Sequence, residues 1–137
     1  MKFPKTPDEL KQEIEILAIQ TGDLRIRQLI NILHKVDDEI IVEGVFQTIE
    51  DESNQYVIQN CAGRILKELN PRPNKESKNY LIRILKNWDK SCEEIPFWMS
   101  EHFGLEHLKL VISEIEKDEI SEVESDQLKT IKWWLKI

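Results

Sequence analysis

Three kinds of residue in this chain have side chains suited to chemistry: histidines, cysteines and paired carboxylates. His102 and His107 lie five residues apart in the run EHFGLEH. Two ligands on one helix face need i, i+4 spacing, and Gly104 falls between these two at an expected helix break. His102 and Glu106 have that spacing, but across the same break. Both histidines are read as structural or solvated, and no metal is expected. His34 stands alone near a helix C-terminus, where an imidazolium meets the helix dipole favourably. Cys61 sits on a continuous apolar stripe, which raises a thiol pKa rather than activating it, so it is expected in the core. Cys92 lies in a turn near Lys90 and before Glu93 and Glu94, and is expected to be an exposed thiol. The two cysteines match no metal or redox spacing, and both are expected to be reduced.

Paired carboxylates occur at Asp37-Asp38, Glu93-Glu94 and Asp118-Glu119. Acid–base catalysis needs carboxylates in a cleft with their pKa values pushed apart. These pairs fall in turns and at helix starts, where acids stabilise the helix dipole. The chain carries no GxSxG, no HExxH and no Gly-rich phosphate loop. With 4 glycines in 137 residues, backbone cradles for phosphate are not expected. Neither an enzyme nor a cofactor is expected.

The elements that must position these residues read as amphipathic helices almost throughout. Thr6-Pro7-Asp8-Glu9 starts the first: Thr6 as N-cap, Pro7 at the first position, Glu9 closing a capping box. Leu10, Ile14 and Leu17 share its face. Gly22-Asp23 breaks the chain. Ile26, Leu29, Ile30 and Leu33 follow at helical spacing. A third helix starts at Asp37-Asp38, with Val42, Val45, Phe46 and Ile49 inward. After a polar turn from Asp51 to Asn54, a fourth carries Ile58, Cys61, Ala62, Ile65, Leu66 and Leu69. Pro71 and Pro73 stop it. A fifth runs from about Glu76 to Trp88, with Leu81, Ile84, Leu85 and Trp88 on one face. The sixth starts near Ile95 with Pro96 early and ends at Phe103-Gly104. The seventh uses Leu105, Leu108, Val111, Ile112 and Ile115. Ser121 and Glu124 form a capping box for the last, which holds Leu128, Ile131, Trp134 and Leu135. The expected fold is all-α: one domain over residues 1–137, with about eight antiparallel helices as stacked helical hairpins. A compact helical bundle is the alternative.

Composition sets further bounds. A chain of 137 residues that is 40% hydrophobic and 33% charged buries enough surface to fold unaided. No apolar run approaches the roughly 18 residues that span a bilayer, and MKFPKTPDEL lacks the apolar stretch of a secretory signal. A soluble, cytoplasmic protein is expected. Net charge is −7. Phosphate binding needs a cationic surface, so nucleic acid is a disfavoured partner. The charge is also patterned. From Asp37 to Glu52 there are seven acids (Asp37, Asp38, Glu39, Glu43, Glu50, Asp51, Glu52) and no Lys or Arg. Arg64 to Lys90 carries eight bases, and Glu114 to Asp126 is acidic again. Such a face suits docking to a basic protein, since complementary charge speeds encounter and suppresses wrong partners. Trp98 and Trp133 lie off the strongest apolar stripes, and an exposed Trp is a natural interface anchor.

The segment Asp51 to Leu69, DESNQYVIQNCAGRILKEL, resembles the second half of a HEAT-type repeat. Ile58 takes the family's apolar slot, Cys61, Ala62 and Gly63 its small residues, Leu66 its leucine, and Leu69 the closing apolar position. Gln59 stands where the family often has Arg, and Ser53 and Gln55 occupy its acidic turn positions. The resemblance implies a helical array that binds proteins on a surface lined by the second helix of each hairpin. In length, charge and its C-terminal LKTIKWWLKI helix, the whole chain is similar to small acidic all-helical bacterial immunity proteins. That likeness implies a domain that binds and neutralises a toxin with a basic surface, such as a nuclease. The chain is expected to be a monomer or weak homodimer. The partner-binding residues are expected to be Asp37, Asp38, Glu50, Asp51, Glu52, Tyr56, Trp98 and Glu101. The alternatives are a nucleic-acid module using the basic middle third, and a structural or adaptor domain that self-associates. If acids steer the partner, charge reversal at two or more of them weakens binding and flattens its salt dependence; unchanged affinity and unchanged salt slope contradict this.

Overall fold

The computed structural model describes residues 3–20 and 23–137. The expected break at Gly22 lies outside the described residues. Among those described, every regular element is a helix: α1 (Pro7–Ala18), α2 (Leu24–Leu33), α3 (Asp38–Glu50), α4 (Tyr56–Leu69), α5 (Ser77–Ile84), α6 (Glu94–Phe103), α7 (Leu105–Glu116) and α8 (Glu122–Leu135). None is long and apolar enough to cross a membrane.

The helix ends follow local chemistry. Thr6 Oγ1 accepts from Glu9 N at 3.2 Å, but the Glu9 carboxylate returns to Lys5 N at 2.7 Å rather than to the N-cap amide. The box at α8 closes as expected, with Glu124 N donating to Ser121 Oγ and Ser121 N to Glu124 Oε1. Gly104 joins α6 to α7 at φ 84°, a conformation that strains any residue with a Cβ. Asn70 ends α4 in the left-handed region, which Asn tolerates better than most. α5 stops at Ile84, a turn earlier than its apolar stripe suggests, because the chain bends there to bring Asn87 onto neighbouring carbonyls.

The helices pack in two rows. α1, α3, α5 and α7 contact one another in sequence; so do α2, α4, α6 and α8. Hairpin contacts α1–α2, α3–α4 and α7–α8 join the rows, helped by α1–α4 and α6–α7. Neighbours within a row approach closely where a side chain is missing. A Cβ on Gly44 would lie 2.7–2.9 Å from Leu10, which is why α1 and α3 can touch there. A Cβ on Gly63 would lie 2.7 Å from Cys92 Sγ.

The expectations for the cysteines, Trp98 and Leu105 need correction. Cys92 is fully buried, whereas Cys61 is only partly so. The turn before α6 folds inward, with Asp89 accepting from Ser91 N and Cys92 N, and the thiol enters the space Gly63 leaves. Trp98, expected as an exposed anchor, is 3% exposed. Its ring meets Phe46 at 5.7 Å, Tyr80 edge-on at 5.4 Å and Phe103 at 6.3 Å, forming the aromatic centre of the core. Leu105, expected inward, is exposed.

Side-chain amides tie the turns together. Asn54 donates to Thr48 O and Glu15 Oε2. Asn87, in the next hairpin's turn, donates to Ile49 O and Asp51 O at 2.8 Å and to Asn54 O at 3.2 Å. Gln59 joins both turns: its Nε2 donates to Asn54 O and Asn87 O, and its Oε1 accepts from Asp89 N at 2.8 Å. Gln127 on α8 donates to Trp88 O. Replacing Asn87 by Ala strips a donor from three carbonyls. We expect a loss of about 2–4 kcal/mol in denaturant unfolding; a loss below about 0.5 kcal/mol, typical of a plain surface site, contradicts the ladder's role.

Candidate functional site

The acidic and basic blocks of the sequence meet in part. Arg83 on α5 grips Glu43 on α3 through both terminal nitrogens, at 2.6 and 2.9 Å, and reaches Glu50 at 2.7 Å through Nε. Lys75 adds a 2.6 Å contact to Glu43, and the guanidinium lies 5.6 Å from the Phe46 ring centroid. Burial alone would raise the Glu43 carboxyl, but the Arg83 and Lys75 hydrogen bonds outweigh it and hold the group below its ordinary value. Asp51 pairs with Lys11 at 2.8 Å and accepts from Ser53 N and Oγ; the Lys11 hydrogen bond leads in holding its carboxyl well below the usual range. Arg64 pairs with Asp23 and Glu68, and Lys90 with Asp126.

The eight residues expected to bind a partner therefore divide. Glu50 and Asp51 hold helices together. Asp38 accepts from Arg72 N at 2.9 Å. Asp37 and Glu52 are exposed, and Tyr56 lies beside Ile19 and Val57 in a shallow apolar hollow. Trp98 and Glu101 pin the proline-rich link after α4. Trp98 Nε1 donates to Pro71 O at 2.8 Å, and Glu101 Oε1 accepts from Asn70 Nδ2 at 3.1 Å. His102 Nε2 meets Asn70 Oδ1 at 2.7 Å, while His107 meets Ser77 Oγ, so the two histidines serve different contacts. Burial pushes both thiols up, Cys92 far more than Cys61, which leaves neither as a ready thiolate.

Trp98 and Glu101 also share a cavity between α4 and α6. It encloses about 180 Å³ and is lined by Leu66, Lys67, Asn70, Glu93, Glu94 and Phe97 besides these two. Phe97, 44% exposed, is the wall it shares with a second, open hollow. There Trp133, at 69% the most exposed aromatic of α8, lies with Trp134 and Ile137 among Lys129, Lys132 and Lys136. Both hollows belong to the row of α4, α6 and α8. Reading the chain residue by residue does not single out Phe97 or Lys67. The signal was there in α6: Glu93, Phe97 and Glu101 are spaced i, i+4, i+8 and so share one face.

No protein-family model, curated protein or solved structure matches the chain.

The Arg83 clasp makes a pH prediction. A carboxyl held below its unfolded pKa adds stability that is present above about pH 4.3 and is lost as pH falls through the folded value. Arg83→Met leaves Glu43 without its main partner. We expect a loss of about 2–3 kcal/mol at pH 7, below the ~3–5 of fully buried pairs because Arg83 and Glu43 are each 14% exposed. The gap to wild type narrows between pH 6 and pH 3. Denaturant unfolding at several pH values checks this; a gap that does not change with pH contradicts it.

Proposed function

We propose that the chain is a non-enzymatic protein-binding domain, most concretely an immunity protein that binds and neutralises a toxin with a basic surface. The observation that carries the reading is the surface of α4, α6 and α8. Its centre is aromatic, with Phe97 and Trp133 exposed, and its rims are charged, acidic beside α4 and lysine-rich beside α8. Aromatic anchors within a charged rim are the common anatomy of protein interfaces.

The packing order favours the helical-repeat part of the reading. Each helix meets the next in its own row, and the side-chain amides of Asn87 and of Gln127 on α8 each reach the turn of the preceding hairpin. The surface then lies on the second helices of successive hairpins, where the HEAT resemblance puts binding. The net charge of −7 suits a basic partner, with Asp37 and Glu52 among the acids free to steer it. Nucleic acid is a poorer fit, since Arg64, Lys75, Arg83 and Lys90 of the basic block are held in ion pairs.

The test is capture of partners from the native cell with the tagged chain at low and moderate salt. A single stoichiometric basic protein is expected, toxic when expressed alone and harmless when this chain is co-expressed. Trp133→Ala with Phe97→Ala weakens the complex by roughly 30-fold while leaving helical content unchanged. A partner bound as tightly by the double variant contradicts the assigned surface, and a partner without toxicity contradicts the immunity reading.

A further inference from the structure

The outer face of α8 carries a charge pattern of its own. Gln127, Leu128, Ile131 and Leu135 bury one side of the helix. On the opposite side Glu122, Asp126, Lys129, Trp133 and Lys136 are all exposed. Their spacing alternates between four and three residues, the seam period of paired helices, so they form one straight stripe. The stripe is acidic in its N-terminal half and basic in its C-terminal half. Among the described residues, Glu122, Lys129 and Lys136 enter no ion pair, and Asp126 meets the exposed Lys90, a contact worth little in water. The helix dipole accounts for the order of the signs, acids first and bases last. It does not account for Trp133, 69% exposed on the midline of the stripe, or for Val123, 59% exposed beside Glu122. A helix face left to water is ordinarily polar throughout.

We infer that this face is the contact with a second copy of the chain, two α8 helices lying antiparallel about a two-fold axis near Lys129. Such an axis sets each residue opposite the one equally far beyond it. Glu122 then faces Lys136 of the second copy, and Asp126 comes within reach of its Lys129. Val123 packs against the second copy's Trp133. Acid meets base and apolar meets apolar at both ends of the stripe at once. A parallel pair would set acid on acid and lysine on lysine. A basic protein matches only the N-terminal half of the stripe, and a phosphate-bearing surface only the C-terminal half. A surface with both signs in reverse order matches the whole, and this chain carries one. α8 has 14 residues and is about 21 Å long, so the contact lies well below the ~800 Å² per partner of a standard interface, and the dimer is weak. Trp133 also belongs to the surface assigned above to a protein partner. A partner seated there therefore displaces the second copy. The inference itself does not rest on the protein-binding reading.

Sedimentation equilibrium of the full chain tests this. The mean mass is expected to rise from one chain toward two between about 10 µM and about 1 mM, and to rise less at about 0.5 M salt. Trp133→Ala, at an exposed site, weakens the dimer roughly fivefold. Glu122→Lys with Asp126→Lys makes the stripe wholly basic, and Lys129→Glu with Lys136→Glu makes it wholly acidic. Each of these variants alone is expected to stay monomeric. Mixed in equal amounts, they form a heterodimer roughly tenfold tighter than the wild-type dimer. A single chain mass at every concentration overturns the inference, as does a mass that climbs past two chains. So does association that both charge variants keep, or a mixture that stays monomeric while circular dichroism shows both variants folded. Should a charge variant fail to fold, Trp133→Ala decides, and a dimer that it leaves unweakened overturns the inference. The two readings fail separately: a chain that is always monomeric leaves partner capture untouched, and a failed capture leaves the dimer untouched.

Discussion

The fold depends on how the hairpin turns satisfy their backbone. A helical hairpin leaves carbonyls without partners at the end of its first helix, and stacking hairpins closes those ends off from water. Here two turns receive donors from the hairpin that follows. Asn87 supplies Ile49, Asp51 and Asn54, and Gln127 supplies Trp88. Gln59, 1% exposed, uses both ends of its amide to lock two turns at once. Hydrogen bonds of this kind have narrow geometry, so they set the register between hairpins more sharply than apolar contact can. Cys92 follows from the same constraint: the turn that Gln59 holds at Asp89 places the thiol beside Gly63 and lets it donate to Gln59 O.

Register in turn decides which charges meet. With α3 and α5 aligned, Glu43 and Glu50 fall opposite Arg83 and Lys75, and the acidic and basic thirds of the chain cancel over that face. The row of α4, α6 and α8 is treated differently. It carries a carboxylate-lined cavity and an aromatic hollow, with Phe97 between them. One face of the molecule is thus electrostatically closed on itself, and another keeps charge and aromatic surface available.

Much of the fold is legible in the residues because helical stripes report burial directly. Leu10, Ile14, Val42, Val45, Ile65, Leu66, Leu81, Leu108 and Leu128 all lie in the core that their spacing predicts. Capping chemistry at Thr6 and Ser121 and the breaks at Pro71 and Gly104 are local, and they too could be read. What was hidden is tertiary. Nothing near Cys92 announces that its turn folds inward, since the acceptors for Asp89 N and Cys92 Sγ come from Gln59 on α4. Trp98 shares the i, i+3, i+4 face of Ile95 and Met99, but its depth in the core depends on Phe46 and Tyr80 arriving from α3 and α5. Glu50 and Asp51 look like free surface acids until α5 and α1 bring Arg83 and Lys11 to them. Gln59 reads as an ordinary polar residue of α4, and only the assembled turns reveal what its amide does there.

The claim that interlocked amides govern the stacking is tested most directly by native-state hydrogen exchange. The Asp89 amide lies in a turn and donates to the Gln59 side chain. If the turns and the even-row helices open as one unit, this amide exchanges with the same opening free energy as the buried amides of Leu66 in α4 and Met99 in α6. Exchange of Asp89 at the rate of an exposed loop, while Leu66 and Met99 stay protected, would show that the turns move independently and that helix packing alone holds the rows.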